Sequence, residues 1–265
     1  MTGAPALKLQ ALQPSRCATP VSSGQQITLF CDFDGPIVDV SDRYYSTYQL
    51  GLADTLASYQ AEGLNLPIQI LSKQQFWQMK QDRVADREIA MRSGLQGEQI
   101  DLFLSQVSHH VNHPLLLQKD KIQPGVSWAL ALLHSQGVKL VLVTLRTQKQ
   151  ARQILVDYGL ARLFSGFYGT EEESAAYINQ PEAKAQLLAK AIAEQASDCN
   201  LDLAWMVGDT EADVLAAQVM GIKSIAVTCG IRSRYSLHKL QPTLMVTDLL
   251  SAAHYLLGIT QLICA

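Results

Sequence analysis

Ile27-Thr-Leu-Phe-Cys-Asp-Phe-Asp-Gly-Pro-Ile-Val-Asp39 decides how the rest of the chain is read. An apolar run rich in β-forming residues ends at Asp32, and Gly35-Pro36 stops it. This pattern predicts a buried strand with Asp32 and Asp34 at its carboxyl end. Side chains alternate across a strand, so the two carboxylates share one side and Phe33 turns to the other. The carboxyl edge of an open α/β sheet is where ligands bind. Two anions this close repel unless a cation joins them or one keeps its proton. A divalent metal with an acid/base carboxylate satisfies both conditions. The plainer alternative is an Asp-rich turn without chemistry, because Asp and Gly are common turn residues.

Downstream the texture changes twice. From Ser41 to Gln118 the strand signal fades. Tyr45, Tyr48, Leu52, Leu56 and Tyr59 recur at helical spacing, with Ser41 as the expected N-cap. Gly63 to Pro67 breaks that pattern. Lys73–Lys80, Arg83–Arg92 and Gln99–Leu117 are further helix candidates; Ser93-Gly94 ends the second, and Pro114 interrupts or caps the third. From Lys121 onward, strands alternate with helices. Strands are expected at Val138–Thr144, Gly166–Gly169, Leu203–Val207, Ile222–Thr228 and Leu244–Val246. Helices are expected at Gly125–Ser135, Gln148–Tyr158, Glu182–Gln195, Glu211–Met220 and Leu249–Leu256. Such alternation means a parallel sheet with helices on both faces. The expected fold is therefore α/β: a three-layer, Rossmann-like core from residues 27–40 and 119–265, with an all-helical insertion at 41–118. Residues 1–26 carry three prolines and no acid, and read as a loose arm.

Composition narrows the function classes. The 265 residues are 48% hydrophobic and 17% charged, as in ordinary globular proteins. A net charge of −3 gives no basic field, which argues against nucleic acid or an anionic membrane surface as main partner. No apolar run approaches the ~20 residues needed to span a bilayer. The N-terminus has no basic region followed by an apolar stretch, so no secretory signal is expected. The five cysteines are odd in number and lack C-x-x-C spacing, which suggests free thiols in a reducing, cytoplasmic compartment. Nothing in the pattern specifies an oligomer.

Further polar residues fall at the ends of the later strands. Thr144 closes Val138–Val143, and Asp209 follows Leu203–Val207, with Asp213 one turn into the next helix. Lys184 lies in the preceding helix. With Asp32 and Asp34, this gathers four carboxylates, one hydroxyl and one ammonium around a single sheet edge.

Four segments taken in order resemble the motifs of the haloacid dehalogenase-like superfamily of phosphohydrolases. They are Phe30 to Asp39, Val141-Leu-Val-Thr144, Lys184 within Glu182-Ala-Lys-Ala-Gln-Leu-Leu188, and Val207-Gly-Asp-Thr-Glu-Ala-Asp213. Pro124-Gly-Val126, Gly137 to Thr144 and Gly221 to Gly230 are similar to the phosphoglycolate-phosphatase-like branch, in which a helical cap follows the first motif. The resemblance spans residues 27–257.

It implies a Mg²⁺-dependent phosphatase acting on a small phosphorylated metabolite. In that reading Asp32 is the nucleophile and forms an aspartyl-phosphate. Asp34 protonates the leaving oxygen and then takes a proton from water. Thr144 donates to a phosphoryl oxygen, and Lys184 offsets charge. Asp32, Asp209 and the backbone carbonyl of Asp34 hold the metal, with Asp213 as ligand or support. Gly35, Leu145 and Arg146 are the expected substrate neighbours. A haloacid dehalogenase has no acid two residues after the nucleophile, so Asp34 argues against that activity. A phosphomutase would share every core motif, and a retired member that only binds a metabolite is a further alternative.

Several residues depart from the family pattern or have plainer readings. Pro36 replaces the usual Thr and stiffens the joint to the cap. Leu145 replaces an Asn, which removes a polar contact. Arg146 reads either as a group for a substrate anion or as a solvated charge at a helix start. The common Lys-Pro pair is absent, leaving Lys190 as a rival to Lys184. His109 and His113 share a helix face but lack an acidic partner between them. Arg83, Arg87 and Arg92 read as solvent-facing helix charges, Glu171 to Glu173 as a solvated run, and Tyr44, Tyr45 and Tyr48 as packing residues.

Overall fold

The computed structural model describes residues 26–195 and 199–259. The expected arm lies outside the described residues except for Gln26, as do Cys17 and Cys264. The first strand, β1 (Thr28–Cys31), is buried throughout. A tight turn leads to the short β2 (Val38–Asp39). Five helices follow: α1 (Ser41–Ala61), α2 (Lys73–Gln81), α3 (Asp86–Arg92), α4 (Glu98–His110) and α5 (Pro114–Leu117). The chain returns through β3 (Lys121–Ile122), which pairs antiparallel with β2. Next come α6 (Val126–Ser135), β4 (Lys139–Thr147), α7 (Gln148–Asp157), β5 (Phe164–Thr170), α8 (Ala175–Ile178) and α9 (Pro181–Glu194). The remainder is β6 (Ala204–Gly208), α10 (Glu211–Val219), β7 (Lys223–Val227), α11 (Arg234–His238), β8 (Leu244–Val246) and α12 (Leu249–Leu256).

The main sheet has six strands in the order β5-β4-β1-β6-β7-β8, all parallel. From β1 the chain builds outward through β4 and β5, then crosses to β6 on the other side of β1. That reversal is a topological switch point, and it opens a crevice at the carboxyl edge. Cys31 pairs with Leu142 and with Val207, so Asp32, Thr144 and Asp209 all emerge at that edge. Asp32 extends the ladder by donating its N–H to the Val207 carbonyl at 2.9 Å.

Alternation along the strands builds two apolar layers. Leu29, Cys31, Leu140, Leu142 and Val207 pack with Leu130 and Leu133 of α6 and Leu249 and Ala253 of α12. Phe30, Val141, Val143 and Met206 pack on the other face with Leu188 of α9 and Ala216 of α10. Each such fully buried large side chain contributes about 1.5–3 kcal/mol. The helical segment adds its own interior. Tyr48 of α1 lies edge-on to Phe103 of α4 at 6.2 Å, and its hydroxyl meets Ser93 Oγ at 2.8 Å and accepts from Leu71 N–H at 2.9 Å. No helix of the described residues is long and apolar enough to cross a membrane.

The structure corrects several local expectations. Ser41 is the first residue of α1 rather than its cap, and Asp39 Oδ1 accepts the Ser41 N–H at 2.8 Å. The Arg83–Arg92 helix starts only at Asp86, because Arg83 adopts φ +60° and interrupts it. Gln99–Leu117 divides into α4 and α5, with the His113 side chain capping Leu115 N–H ahead of Pro114. The strand expected to end at Thr144 continues to Thr147, which pairs with Thr170. The β2–β3 pair, α8 and α11 had no sequence signal, being too short for a periodic pattern.

Candidate active site

Asp32 leaves β1 at its carboxyl end and is only 6% exposed. Lys184, projecting from α9, donates to Asp32 Oδ1 at 2.6 Å and lies 2.9 Å from Asp213 Oδ1. Thr210 fixes the other Asp213 oxygen: its N–H and hydroxyl donate to Oδ2 at 3.1 and 2.8 Å. That arrangement is the capping box that starts α10, so the helix terminus and the charge cluster use the same atoms. Asp209 is fully buried. Its Oδ2 accepts the Ile231 N–H at 2.6 Å, while Oδ1 has no hydrogen-bond partner. Two glycines make room for it. A Cβ on Gly35, which has φ +97°, would stand 2.1 Å from Asp209 Cγ, and one on Gly230 would stand 1.9 Å from Asp209 Oδ2.

Asp32, Asp209 and Asp213 each offer one oxygen within 4.8 Å of the others. Three carboxylates therefore face one ammonium. Burial raises the Asp32 pKa to about 7, and the charge on Asp213 adds to this against the pull of Lys184. Burial also pushes Asp209 well above the ordinary carboxylate range, with Asp213 and Asp32 adding to it. Burial alone would lower Lys184, but the charges of Asp213 and Asp32 outweigh it and hold the ammonium above its usual range. The donors are all hard oxygens, one is orphaned, and the cluster carries excess negative charge. These features suit a hard divalent cation.

Asp34 sits in a second charge cluster. Arg43 of α1 donates to Asp34 Oδ2 at 3.1 Å, to Asp120 Oδ1 at 2.9 Å and to the Val111 carbonyl at 3.2 Å. Arg146 of β4 donates to Asp120 Oδ2, and its Nε lies 3.1 Å from Asp34 Oδ1 without hydrogen-bond alignment. Arg43 and Arg146 are 1% and 2% exposed, so neither is a solvated helix charge. The Arg146 guanidinium stacks 5.2 Å over Phe33, and its Nη1 has no partner. Thr144 is buried and accepts the Arg146 N–H at 3.1 Å.

Both clusters border one cavity of about 50 Å³. Asp32, Asp34, Thr144, Lys184 and Asp209 line it, together with Leu145 and Arg146. The wall also includes residues without a sequence signal: Lys80, Tyr177, Asn179, Thr210 and Arg232. Tyr44 reaches it as well, unlike Tyr45 and Tyr48, which pack against Phe76. The other polar residues singled out lie elsewhere. Lys190 is exposed and lies 4.0 Å from Glu194. The His109 ring lies edge-on to His110 at 5.2 Å, and His113 Nδ1 accepts the Leu115 N–H at 3.3 Å. Arg83, Arg87 and Arg92 pair with Glu211, Asp101 and Glu88. Glu171 to Glu173 are exposed.

This strand order, with acids, a threonine and a lysine at the carboxyl edge, is an open parallel α/β architecture. The chain belongs to the haloacid dehalogenase-like hydrolase family, whose profile matches residues 29–227. Among its relatives, phosphoglycolate phosphatase from Synechococcus elongatus is 26% identical over 229 residues, covering 85% of this chain and 96% of that one. A probable phosphoglycolate phosphatase from Pseudomonas putida is 25% identical over 167 residues, 60% of this chain and 62% of that one. The match to the Pseudomonas fluorescens phosphoglycolate phosphatase spans 44% of its length, so these two relatives are matched over less than two thirds of their chains. A crystal structure of a putative phosphatase from Clostridium difficile superposes with a TM-score of 0.65 at 18% identity, over 88% of this chain and all (100%) of that one. A haloacid dehalogenase-like family hydrolase from Streptococcus pneumoniae gives 0.61 at 21% identity, over 87% and 98%. At these identities the likeness is one of fold.

Proposed function

We propose that this chain is a Mg²⁺-dependent phosphatase that hydrolyses a small phosphorylated metabolite, a monoester of the phosphoglycolate type, through an aspartyl-phosphate on Asp32. The observation that carries this reading is the buried Asp32 carboxylate, pinned by Lys184 beside an Asp209 whose Oδ1 has no partner. Asp32, Asp209 and the backbone carbonyl of Asp34 would hold the cation, with Asp213 as a further ligand or as the brace of Lys184. When bound, Mg²⁺ supplies charge neutralisation and alignment for in-line displacement.

The chain's own residues account for the rest. An Asp32 carboxylate oxygen attacks phosphorus as the bond to the alcohol oxygen breaks, and Asp34 gives that oxygen its proton. Asp34 then takes a proton from the water that attacks phosphorus, the bond to Asp32 breaks, and phosphate leaves. Thr144 donates its hydroxyl to a phosphoryl oxygen, and Lys184 offsets charge on the transferring group. Gly35 leaves space beside Asp209, Leu145 forms an apolar wall, and Arg146 offers its unpartnered Nη1 to the substrate. The helical segment 41–118 acts as the cap that excludes bulk water.

The test is phosphate release from a panel of small phosphomonoesters, with and without Mg²⁺, for the native chain and Asp32→Asn. Metal-dependent turnover lost in the variant is expected. Turnover retained by Asp32→Asn would overturn the mechanism.

A further inference from the structure

We propose that Lys80 forms a subsite for an anionic group on the alcohol side of the substrate, so that the preferred ester is that of a small hydroxy acid; this rests on the phosphatase reading above. Among the described residues, four cations line the cavity: Lys80, Arg146, Lys184 and Arg232. Three of them stand on the core, where each already meets an acid. Lys184 serves Asp32 and Asp213, and Arg146 serves Asp34 and Asp120. Arg232 makes two bonds to Glu211, at 2.7 and 3.1 Å. Lys80 comes instead from α2 and lines the same cavity as the acids of the sheet edge.

The Lys80 side chain is 10% exposed, and an ammonium has three N–H donors. Among the described residues it makes one hydrogen bond, to Asp86 Oδ1 at 2.9 Å. Its other neighbours are aromatic faces, Tyr177 at 4.7 Å and Tyr44 at 5.8 Å from the ring centroids. These stabilise a cation but give its remaining N–H groups no strong acceptor. Asp86 divides its carboxylate, because Oδ2 accepts the Tyr177 hydroxyl at 2.7 Å. The backbone is fixed as well: Arg232 Nη1 donates to the Lys80 carbonyl at 3.1 Å, and Ser233 N–H donates to the Gln81 carbonyl at 2.9 Å. Lys80 is thus a largely buried, immobilised cation with spare donors, which favours a rigid anionic acceptor over water.

Cavity size limits the class. At about 50 Å³ the cavity is small, which favours a short ligand over a bulky one. With the phosphoryl group at Asp32, the alcohol part is short, and a carboxylate one or two carbons from the ester oxygen meets Lys80. Asn179, on the loop after α8, adds a buried Nδ2 without a partner to the same cavity.

The experiment compares three esters of similar size on the full chain with Mg²⁺: 2-phosphoglycolate, 2-hydroxyethyl phosphate and phosphoethanolamine. Native protein, Lys80→Met and Lys80→Arg are assayed, with thermal melting to verify folding. The native protein is expected to favour the carboxylate ester. Lys80→Met is expected to lower its kcat/KM roughly 10- to 100-fold more than that of the neutral ester, mostly through KM. Lys80→Arg is expected to restore part of the preference. Equal losses on the carboxylate and neutral esters, or no change in preference, would overturn the subsite while leaving the phosphatase reading standing. If the native protein releases phosphate from none of the three esters or from p-nitrophenyl phosphate, the phosphatase reading falls and the subsite falls with it.

Discussion

The carboxyl edge of the sheet and its junction with the helical segment handle buried charge in opposite ways. At the edge, Asp32, Asp209 and Asp213 face the single ammonium of Lys184, and negative charge is in excess. At the junction, Arg43 and Arg146 face Asp34 and Asp120, so two cations meet two anions. Burial makes an uncompensated charge expensive, and a fold tolerates it only where something else joins the cluster. On the proposed reading, the unbalanced cluster takes the cation and the nucleophile. The balanced one joins α1, the return strand region and β4, and holds in place Asp34, the carboxylate two residues after Asp32.

The sharpest way to break this contrast is at the edge. Asp32→Asn should lower phosphate release at least about a thousandfold, since no other group substitutes for a nucleophile. A stopped assay with inorganic phosphate detection measures this. Loss of balance at the junction should appear in stability instead. Arg43→Met leaves Asp34 and Asp120 sharing Arg146 alone, two anions to one cation, and is expected to cost about 3–5 kcal/mol, read from urea midpoints.

The edge should also show in the pH dependence of the metal-free protein. Folded Asp32 titrates at about 7 against 3.8 for the ordinary carboxyl, so between those values the folded state binds more protons than the unfolded one. Stability is fully present below the lower value and falls as pH rises through the window, and Asp209 acts in the same direction. In a chelator, melting temperature is expected to fall between about pH 4 and pH 7, with a shallower slope in Asp32→Asn. Added Mg²⁺ should raise melting at the upper end of the window. The smallest effect belongs to an exposed pair: Arg92→Ala removes the contact to Glu88 and should change stability by no more than about 0.5 kcal/mol in the same urea assay.

Much of this arrangement is written locally. Periodicity marked α1, α2, the central strands and α12, and the strand ends carried Asp32, Thr144 and Asp209 to one edge. Lys184 is more telling. It is 152 residues from Asp32, and the order of the four motifs singled it out, whereas composition gave no preference over Lys190. Residues outside the motifs had no such guide. Arg43 sits among the tyrosines of α1, where no motif marks it, yet it is among the largest fully buried side chains. Its partner Asp120 is 77 residues away, between two elements of which one is a two-residue strand. Lys80 has an ordinary place near the end of a polar helix, and Tyr177 and Asn179 come from a four-residue helix and the residue that caps it.

The sequence by itself determined the α/β class, the parallel alternation, the helical insertion and the acidic edge. These follow from short-range pattern: period-two and period-3.6 repeats, Gly and Pro stops, and motif spacing. Only the tertiary structure decided which charges are balanced and which are not, and which side chains line the cavity with Asp32. Ion pairing and desolvation depend on separation in space, and chain segments far apart in sequence meet there through a packing that no local period encodes.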